Sequence, residues 1–394
     1  MVVISKSSNE PNFIIRISFF ARRCILIKGH LLWTIVERLL QKMTTVLRSL
    51  LISVFVALVA GARTKLRHDW GAGTLFTPLA KEIRDNQHNC TAKVHYHRQN
   101  NWGMGSDIHT WSQALCNSMQ VGATLLQLKE EWIWNDKEFC TPAPLHPLQC
   151  YFNLKTHCPK AKGSNPLIIP FKNDYARCPK YITDDKSRQE FRAAAMEFLF
   201  SNINKKLIKE AEHAVNAVFG KEGIPDDMIT VHLRWGDKNL EMKLVSQEEF
   251  VAAIDSMVKN HSIAQPRVFV TTESNHALTS IQSYVQEHRK HWTLYHYAPS
   301  VYETRFRFEP ATNTTIHHNP MNVARHTGGS IGRASIVSLM LALEAKYYIL
   351  TSGSNWSRLI DELRKNVVNQ LCNNCTVMTD LREAFRDHNW RHRA

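Results

Sequence analysis

Residues 229–241 read ITVHLRWGDKNLE. Ile229, Val231 and Leu233 alternate as a buried strand requires. A burst of charge follows at His232, Arg234, Asp237, Lys238 and Glu241. The pattern predicts a strand that ends in a charged loop. What lies downstream repeats it. SQEEFVAAIDSMVKN (246–260) predicts a helix with a capping box, Ser246 at the N-cap and Glu249 three residues on. RVFVTTES (267–274) reads as a strand with a polar, acidic end, NHALTSIQSYVQEH (275–288) as a helix, and WTLYHY (292–297) as a strand. After an irregular stretch at 298–328, SIGRASIVSLMLALEA (330–345) predicts an apolar helix. KYYILT (346–351) is a continuous apolar strand running into SGSNWS, and SRLIDELRKNVV (357–368) is a helix. Strands alternating with helices imply an α/β fold, a parallel sheet with helices on both faces. Ligands bind such sheets beyond the carboxyl ends of the strands.

The upstream half is less regular. In NWGMGSDIHTWSQALCNSMQVGATLLQL (101–128), Ser106 or Asp107 is the expected N-cap. Ile108, Trp111, Leu115 and Met119 follow at helical spacing, Gly122 ends the helix, and 123–128 reads as a buried strand. Residues 187–220 predict one long helix closed by Gly220, and a boundary falls near residue 222. Residues 65–90 read as a stem or loop. Residues 129–180, rich in Trp, Pro, Cys and His, read as an irregular segment tied by disulfides. The expected organisation is an N-terminal extension (1–42), a signal peptide or short signal anchor (43–64), a stem and first α/β half (65–222), and a second α/β half (223–394).

The compartment is read from three features. SLLISVFVALVAGA (49–62) is charge-free between Arg48 and Arg63 and ends in small residues, the three-part pattern of a secretory signal. It is shorter than the roughly 20 residues of a spanning helix, so membrane anchoring by this segment is the alternative to cleavage. Met43 is a natural start, with Cys24 in the extension before it. Eight cysteines follow the signal, at 90, 116, 140, 150, 158, 178, 372 and 375, an even number that points to disulfides. CNNC (372–375) also has zinc-ligand spacing, but no second close pair accompanies it. Asn89, Asn260, Asn313, Asn355 and Asn374 head N-glycosylation triplets. Together these point to the secretory pathway, with the chain either anchored by the 49–62 segment or secreted.

Of the 394 residues 44% are hydrophobic and 21% charged, enough for one large or two average cores. The net charge of +14 suggests an anionic partner. Its Lys and Arg are scattered, with no nucleic-acid motif, so nucleic acid is not the expected one. Three strand ends carry polar clusters: 232–241, 271–274 and 351–357. Arg234 and Lys238 offer a fork and a point charge for phosphate oxygens. Ser352, Gly353 and Ser354, ahead of a helix, offer N–H groups and hydroxyls to an anion. His232 and Asp237 can fix a base or ribose. The plainer readings are an Arg234–Asp237 ion pair, an ordinary N-cap at 352–354 and a solvated Glu273. Neither G-x-G-x-x-G after a strand nor G-x-x-x-x-G-K-[ST] occurs, which disfavours NAD and P-loop chemistry. No G-x-S-x-G elbow occurs. His317–His318 and HNPMNVARH match no metal-site pattern.

ITVHLRWGDKNLE resembles the donor-site motif of GDP-fucose-dependent fucosyltransferases of the α1,6 and protein-O-fucosyl type, His-x-Arg-Arg-x-Asp-Lys at a strand end. RVFVTTES is similar to the family's next strand, ending Thr-Asp-Asp, and KYYILTSGSNWSRL to its third, which runs into Thr-x-Ser-Ser and then an Arg. The glycine turn and helix at 103–121 resemble its opening α/β unit. The resemblance spans roughly 100–370, with the α1,6 enzymes as the nearer branch. It implies a GT-B-like arrangement, two α/β halves with a Rossmann-like C-terminal half that binds the donor. It implies transfer of fucose with inversion, most simply α1,6 to the N-glycan core, with protein O-fucosylation and a non-catalytic binding relative as alternatives. GDP-fucose is then the donor, an N-glycan or glycoprotein the acceptor, and no cofactor or metal is expected. Arg234 would bind the diphosphate, His232 guanine, and Asp237 and Lys238 would shape the site. Glu241 would be the general base. Phe250, Ser352, Ser354 and Arg358 would line the donor site, and Glu273 would stand for a ribose- or loop-binding Asp. The sequence departs from the family at Trp235, where a second Arg is usual. It departs again at Ser338, where a guanine-binding Asp falls, at Phe250, where an aromatic hydroxyl is usual, and in a Lys238–Glu241 spacing one residue shorter. Asn355, inside the third motif, is expected to stay unglycosylated.

Overall fold

Two parallel sheets organise the protein. The computed structural model describes residues 65–89, 93–142, 146–154, 167–169, 178–235, 243–301 and 320–382. The expectations placed on residues 1–64, Cys90, Cys158, Asp237, Lys238, Glu241, Asn313 and His317–His318 lie outside these residues. Among the described residues, no helix is long and apolar enough to cross a membrane.

The first half opens with α1 (Pro78–His88), not the stem or loop expected at 65–90. Thr77 accepts a hydrogen bond from the Ala80 N–H, and Pro78 presets the first turn. Strand β1 (Val94–His97) leads to α2 (Met104–Met119) and β2 (Thr124–Gln127). Helix α2 begins two residues before the first expected cap, with Gly103 at the N-cap position. Asp107 accepts from the Trp102 N–H and from Trp132 Nε1 instead. Within 129–180 the structure adds β3 (Leu167–Ile169). The three strands are parallel in the order β2-β1-β3.

The expected long helix at 187–220 is two helices, α3 (Asp185–Ser201) and α4 (Lys205–Phe219). The break has a local cause. Asn202 leaves helical geometry, and Asn204 caps the next helix by accepting from the Lys206 N–H. Gly220 closes α4 with φ 69°, a left-handed backbone that favours glycine.

The second half follows the expected alternation closely: β4 (Ile229–Leu233), α5 (Gln247–Asn260), β5 (Arg267–Thr272), α6 (Asn275–His288) and β6 (Thr293–Tyr295). Helices α7 (Pro320–His326) and α8 (Ser330–Ala342), strand β7 (Tyr347–Leu350), helix α9 (Asn355–Leu363) and β8 (Val377–Asp380) complete it. The Ser246–Glu249 capping box forms as expected. Strand β8 was not expected, because VMTD is too short to show a period. The sheet order is β6-β5-β4-β7-β8, all parallel. This is a doubly wound, Rossmann-like arrangement, so the fold is α/β with two α/β halves as expected.

Burial explains the unbroken apolar strands. Along β5, Phe269 faces one core, while Val268 and Val270 face the other with Ile229, Val231 and Ile349. Successive side chains point to opposite faces, so a sheet covered on both sides needs apolar residues at every position. The first core does not stop at residue 222. It runs from Trp70 to Val368, with α8 against α4 and α9 against α2 and α3. The boundary near 222 therefore separates two sheets, not two cores.

Among the described residues, disulfides join Cys116–Cys178, Cys140–Cys150 and Cys372–Cys375. The last places CNNC in a disulfide, not a zinc site.

Candidate functional site

The strand order sets where a ligand can enter. Chain progress runs outward from β4 through β5 to β6 on one side, and through β7 to β8 on the other. Strands β4 and β7 are neighbours from which the chain proceeds to opposite sides of the sheet, the switch point beyond whose carboxyl ends doubly wound sheets bind ligands. The three polar strand ends converge there.

His232, on β4, is 1% exposed, and its Nδ1 lies 2.7 Å from Ser357 Oγ on α9. Ser357 Oγ also accepts from the Thr351 N–H at 3.1 Å. Burial, aided by the neighbouring Arg234 charge, pushes the imidazole down to about 3, so the ring is neutral near pH 7. This bond ties β4 to the turn after β7, and it commits one ring nitrogen that the resemblance assigns to guanine.

Arg234 stands just past β4. Its guanidinium is 10% exposed, donates to the Trp235 carbonyl at 2.6 Å and pairs with Glu273 at the end of β5. Glu273, 25% exposed, is thus paired with the cation that the resemblance assigns to the diphosphate. Trp235 turns away. Its Nε1 donates to the Val245 carbonyl at 2.8 Å, and its ring lies 5.5 Å from that of His276 against the second core. Where the resemblance leads one to expect a second arginine, Trp235 is a packing residue.

The turn after β7 differs from the expected anion cradle. The Ser352 N–H and hydroxyl both donate to Asp380 of β8, the Gly353 N–H to the Arg382 carbonyl, and the Ser354 N–H to the Thr351 carbonyl. The backbone donors of 352–354 are consumed internally, with Asp380 standing where an external anion was expected. Helix α9 starts without a side-chain cap from Ser354, and Gly105 packs against the backbone of its first turn. Arg358, one turn into α9, donates to Asn355 Oδ1.

Phe250 is a correction. It is fully buried among Ile229, Val231, Ile254 and Val268 and faces no site, because its helical position points into the second core. Ser338, on α8, is buried with its hydroxyl 3.4 Å from that of Thr271 at the end of β5.

Sequence reasoning missed Asp380, Ser357 and the residues of the first half that reach α9. An acidic residue closing VMTD was the one available signal for Asp380. The opening glycine turn packs directly on α9: a Cβ at Gly105 would meet the backbone of Asn355 and Trp356 at 3.3 Å. Asn355 Nδ2 donates to Ser106 Oγ at 2.5 Å. Among the described residues, no group of three or more His, Cys, Asp or Glu converges as a metal site would.

No protein-family model matches the sequence, and no curated protein matches it. Among solved structures, the chain is similar to the apo form of POFUT1 at 9% identity and TM-score 0.36, covering 72% of this chain and 97% of that one. It is also similar to POFUT1 in complex with GDP (9%, TM-score 0.36, 70% and 95%). A third similar structure is POFUT1 in complex with GDP-fucose (9%, TM-score 0.37, 71% and 96%). With TM-scores below 0.5, these likenesses identify neither a family nor an activity.

Proposed function

We propose that the protein is an inverting fucosyltransferase that uses GDP-fucose. One observation carries the reading: the strand ends bearing the three motifs meet at the switch point of a doubly wound sheet, with the Arg234 cation at their centre. In this reaction the acceptor hydroxyl oxygen bonds to C1 of fucose as the bond from C1 to the diphosphate breaks. GDP leaves with the bonding electron pair, and Arg234 offsets its charge. Glu241 takes the hydroxyl proton, and Asp237 and Lys238 shape the same loop. Cations serve in place of a metal. The acceptor hydroxyl is that of the N-glycan core, giving an α1,6 linkage, with a Ser or Thr hydroxyl on a folded protein as the alternative. The protein works in the lumen of the secretory pathway.

A second reading is favoured by the Arg234–Glu273 pair together with Trp235: a protein that binds the nucleotide sugar and does not transfer it. One experiment separates the two. GDP release from GDP-fucose is measured against a panel of N-glycan and protein acceptors, beside calorimetry with GDP. Turnover with one acceptor class supports transfer and names the linkage. GDP binding without turnover on any acceptor selects the second reading. No GDP binding at all removes both.

A further inference from the structure

Helix α1 lies against β2: Asn86 Nδ2 donates to the Ala123 carbonyl at 2.9 Å, just before the strand. Each element brings one glutamine to the contact. Gln87, in the last turn of α1, is 6% exposed, and Gln127, the last residue of β2, is 4% exposed. Gln87 Oε1 accepts from the Leu125 N–H at 3.3 Å, and Gln127 Oε1 accepts from the Leu148 N–H at 2.8 Å. A backbone N–H only donates, so these two bonds fix which end of each amide is oxygen. The amino ends are left over. Among the described residues neither Gln87 Nε2 nor Gln127 Nε2 has a hydrogen-bond partner.

Both side chains line one cavity of about 20 Å³, together with Trp111 of α2, Leu125 of β2, Phe198 of α3 and His146. Three properties select its occupant. Leaving two buried amino groups dry costs the desolvation of each, so an apolar guest does not fit. Among the described residues no Lys, Arg, Asp or Glu lines the cavity, and burial holds the His146 imidazole below its ordinary range and hence neutral at pH 7. An anion would therefore be buried there without a countercharge, and a cation would face two donors. The volume admits about one water and nothing larger. A water oxygen has the two lone pairs that the two amino groups require, and a neutral imidazole can take one of its hydrogens.

We propose that this cavity is a binding site for a single water molecule, which accepts from Gln87 Nε2 and from Gln127 Nε2 and so joins α1 to the end of β2. The water completes hydrogen bonding that the chain itself leaves open, as buried waters do in folded proteins. It also accounts for amides at these two positions. Each glutamine ties a backbone N–H with its oxygen and the shared water with its nitrogen. The site belongs to the first half and does not depend on the GDP-fucose reading.

The test is crystallographic, on the whole chain, at a resolution that shows ordered solvent. Expected in wild type is one solvent peak in the cavity, about 2.7–3.2 Å from both Nε2 atoms. Crystals pressurised with xenon should show none there, because a dry apolar cavity takes the gas and a polar one that holds water does not. Gln87→Leu combined with Gln127→Leu removes both donors at similar volume. Its cavity should lose the solvent peak and take up xenon instead. If the double variant does not fold, Gln87→Leu alone carries the comparison and should show a weakened or absent peak. The proposal is overturned if the wild-type cavity binds xenon, or if it shows no solvent peak that touches both amides. It is overturned as well if the peak persists undiminished in the variant, since other groups would then hold the solvent.

Discussion

Replacing Glu273 by Gln should tighten GDP binding, a sign opposite to that expected of a ligand-contacting residue. Glu273 pairs with Arg234, whose side chain is 10% exposed, while Glu273 itself is 25% exposed. A phosphate arriving at Arg234 would stand roughly 5 Å from the Glu273 carboxylate. At an effective dielectric of about 20, Coulomb's law gives about 3 kcal/mol of repulsion per unit charge. Partial exposure and salt reduce this to about 1–2 kcal/mol. Glu273→Gln should therefore lower the GDP dissociation constant roughly tenfold. Arg234→Ala should raise it by a factor of about 10–100, because charge-assisted bonds are lost. The double variant should show much less gain from the Gln substitution than the wild-type background does, since the two residues share one contact. Calorimetric titration with GDP measures all four proteins, with a thermal melt as the folding control. Weaker binding by Glu273→Gln would refute the reasoning: Glu273 would then touch the ligand, as the sequence resemblance implies.

Three further outcomes follow from the geometry. Phe250→Ala should cost about 3–5 kcal/mol of stability as a core cavity, and Phe250→Tyr about 1–3 kcal/mol for a buried hydroxyl; a stable Tyr variant with tighter GDP binding would return Phe250 to the site. Lowering the pH should destabilise the fold: His232 and His97 are pushed by burial to about 3 and about 4, well below the ordinary imidazole value of about 6.5. The unfolded chain takes up their protons first, so stability present at pH 7 is lost as pH falls below 6.5. Asp107, raised by burial to about 6, works the other way, gaining stability as it protonates. From pH 7 to pH 5 the two histidines cost about 4 kcal/mol and Asp107 returns about 1, a net loss of roughly 2–3 kcal/mol to be read from urea midpoints. A midpoint that rises on acidification would contradict this sum. Glycopeptide mapping of protein made through a secretory pathway should find a glycan on exposed Asn374 and none on Asn355, whose amide nitrogen is held by Ser106; a glycan on Asn355 would mean this contact does not form.

The second half was legible because its signals are local. An apolar strand buried on both faces, a Ser246–Glu249 box and a polar strand end each lie within a dozen residues. Their parallel alternation leaves few topologies open. The first half was harder to read. Strands β1 and β3 have four and three residues, too few for a period to appear. The break at Asn202–Asn204 is set by side-chain bonds to the backbone that a helical pattern across 187–220 conceals.

For the site, sequence alone determined which residues stand at strand ends and that those ends carry cations, carboxylates and hydroxyls. Position in the chain and the two-residue period of a strand are enough for that. Only the tertiary structure decided how those groups are spent. Arg234 faces Glu273 from the neighbouring strand, Asp380 fills the turn expected to cradle an anion, and Phe250 points into the core. His109 reaches α9 across 253 residues of chain to Glu362. Such pairings depend on which elements become neighbours and on which donors find acceptors once water is excluded. That competition is settled by packing, and no local pattern records it.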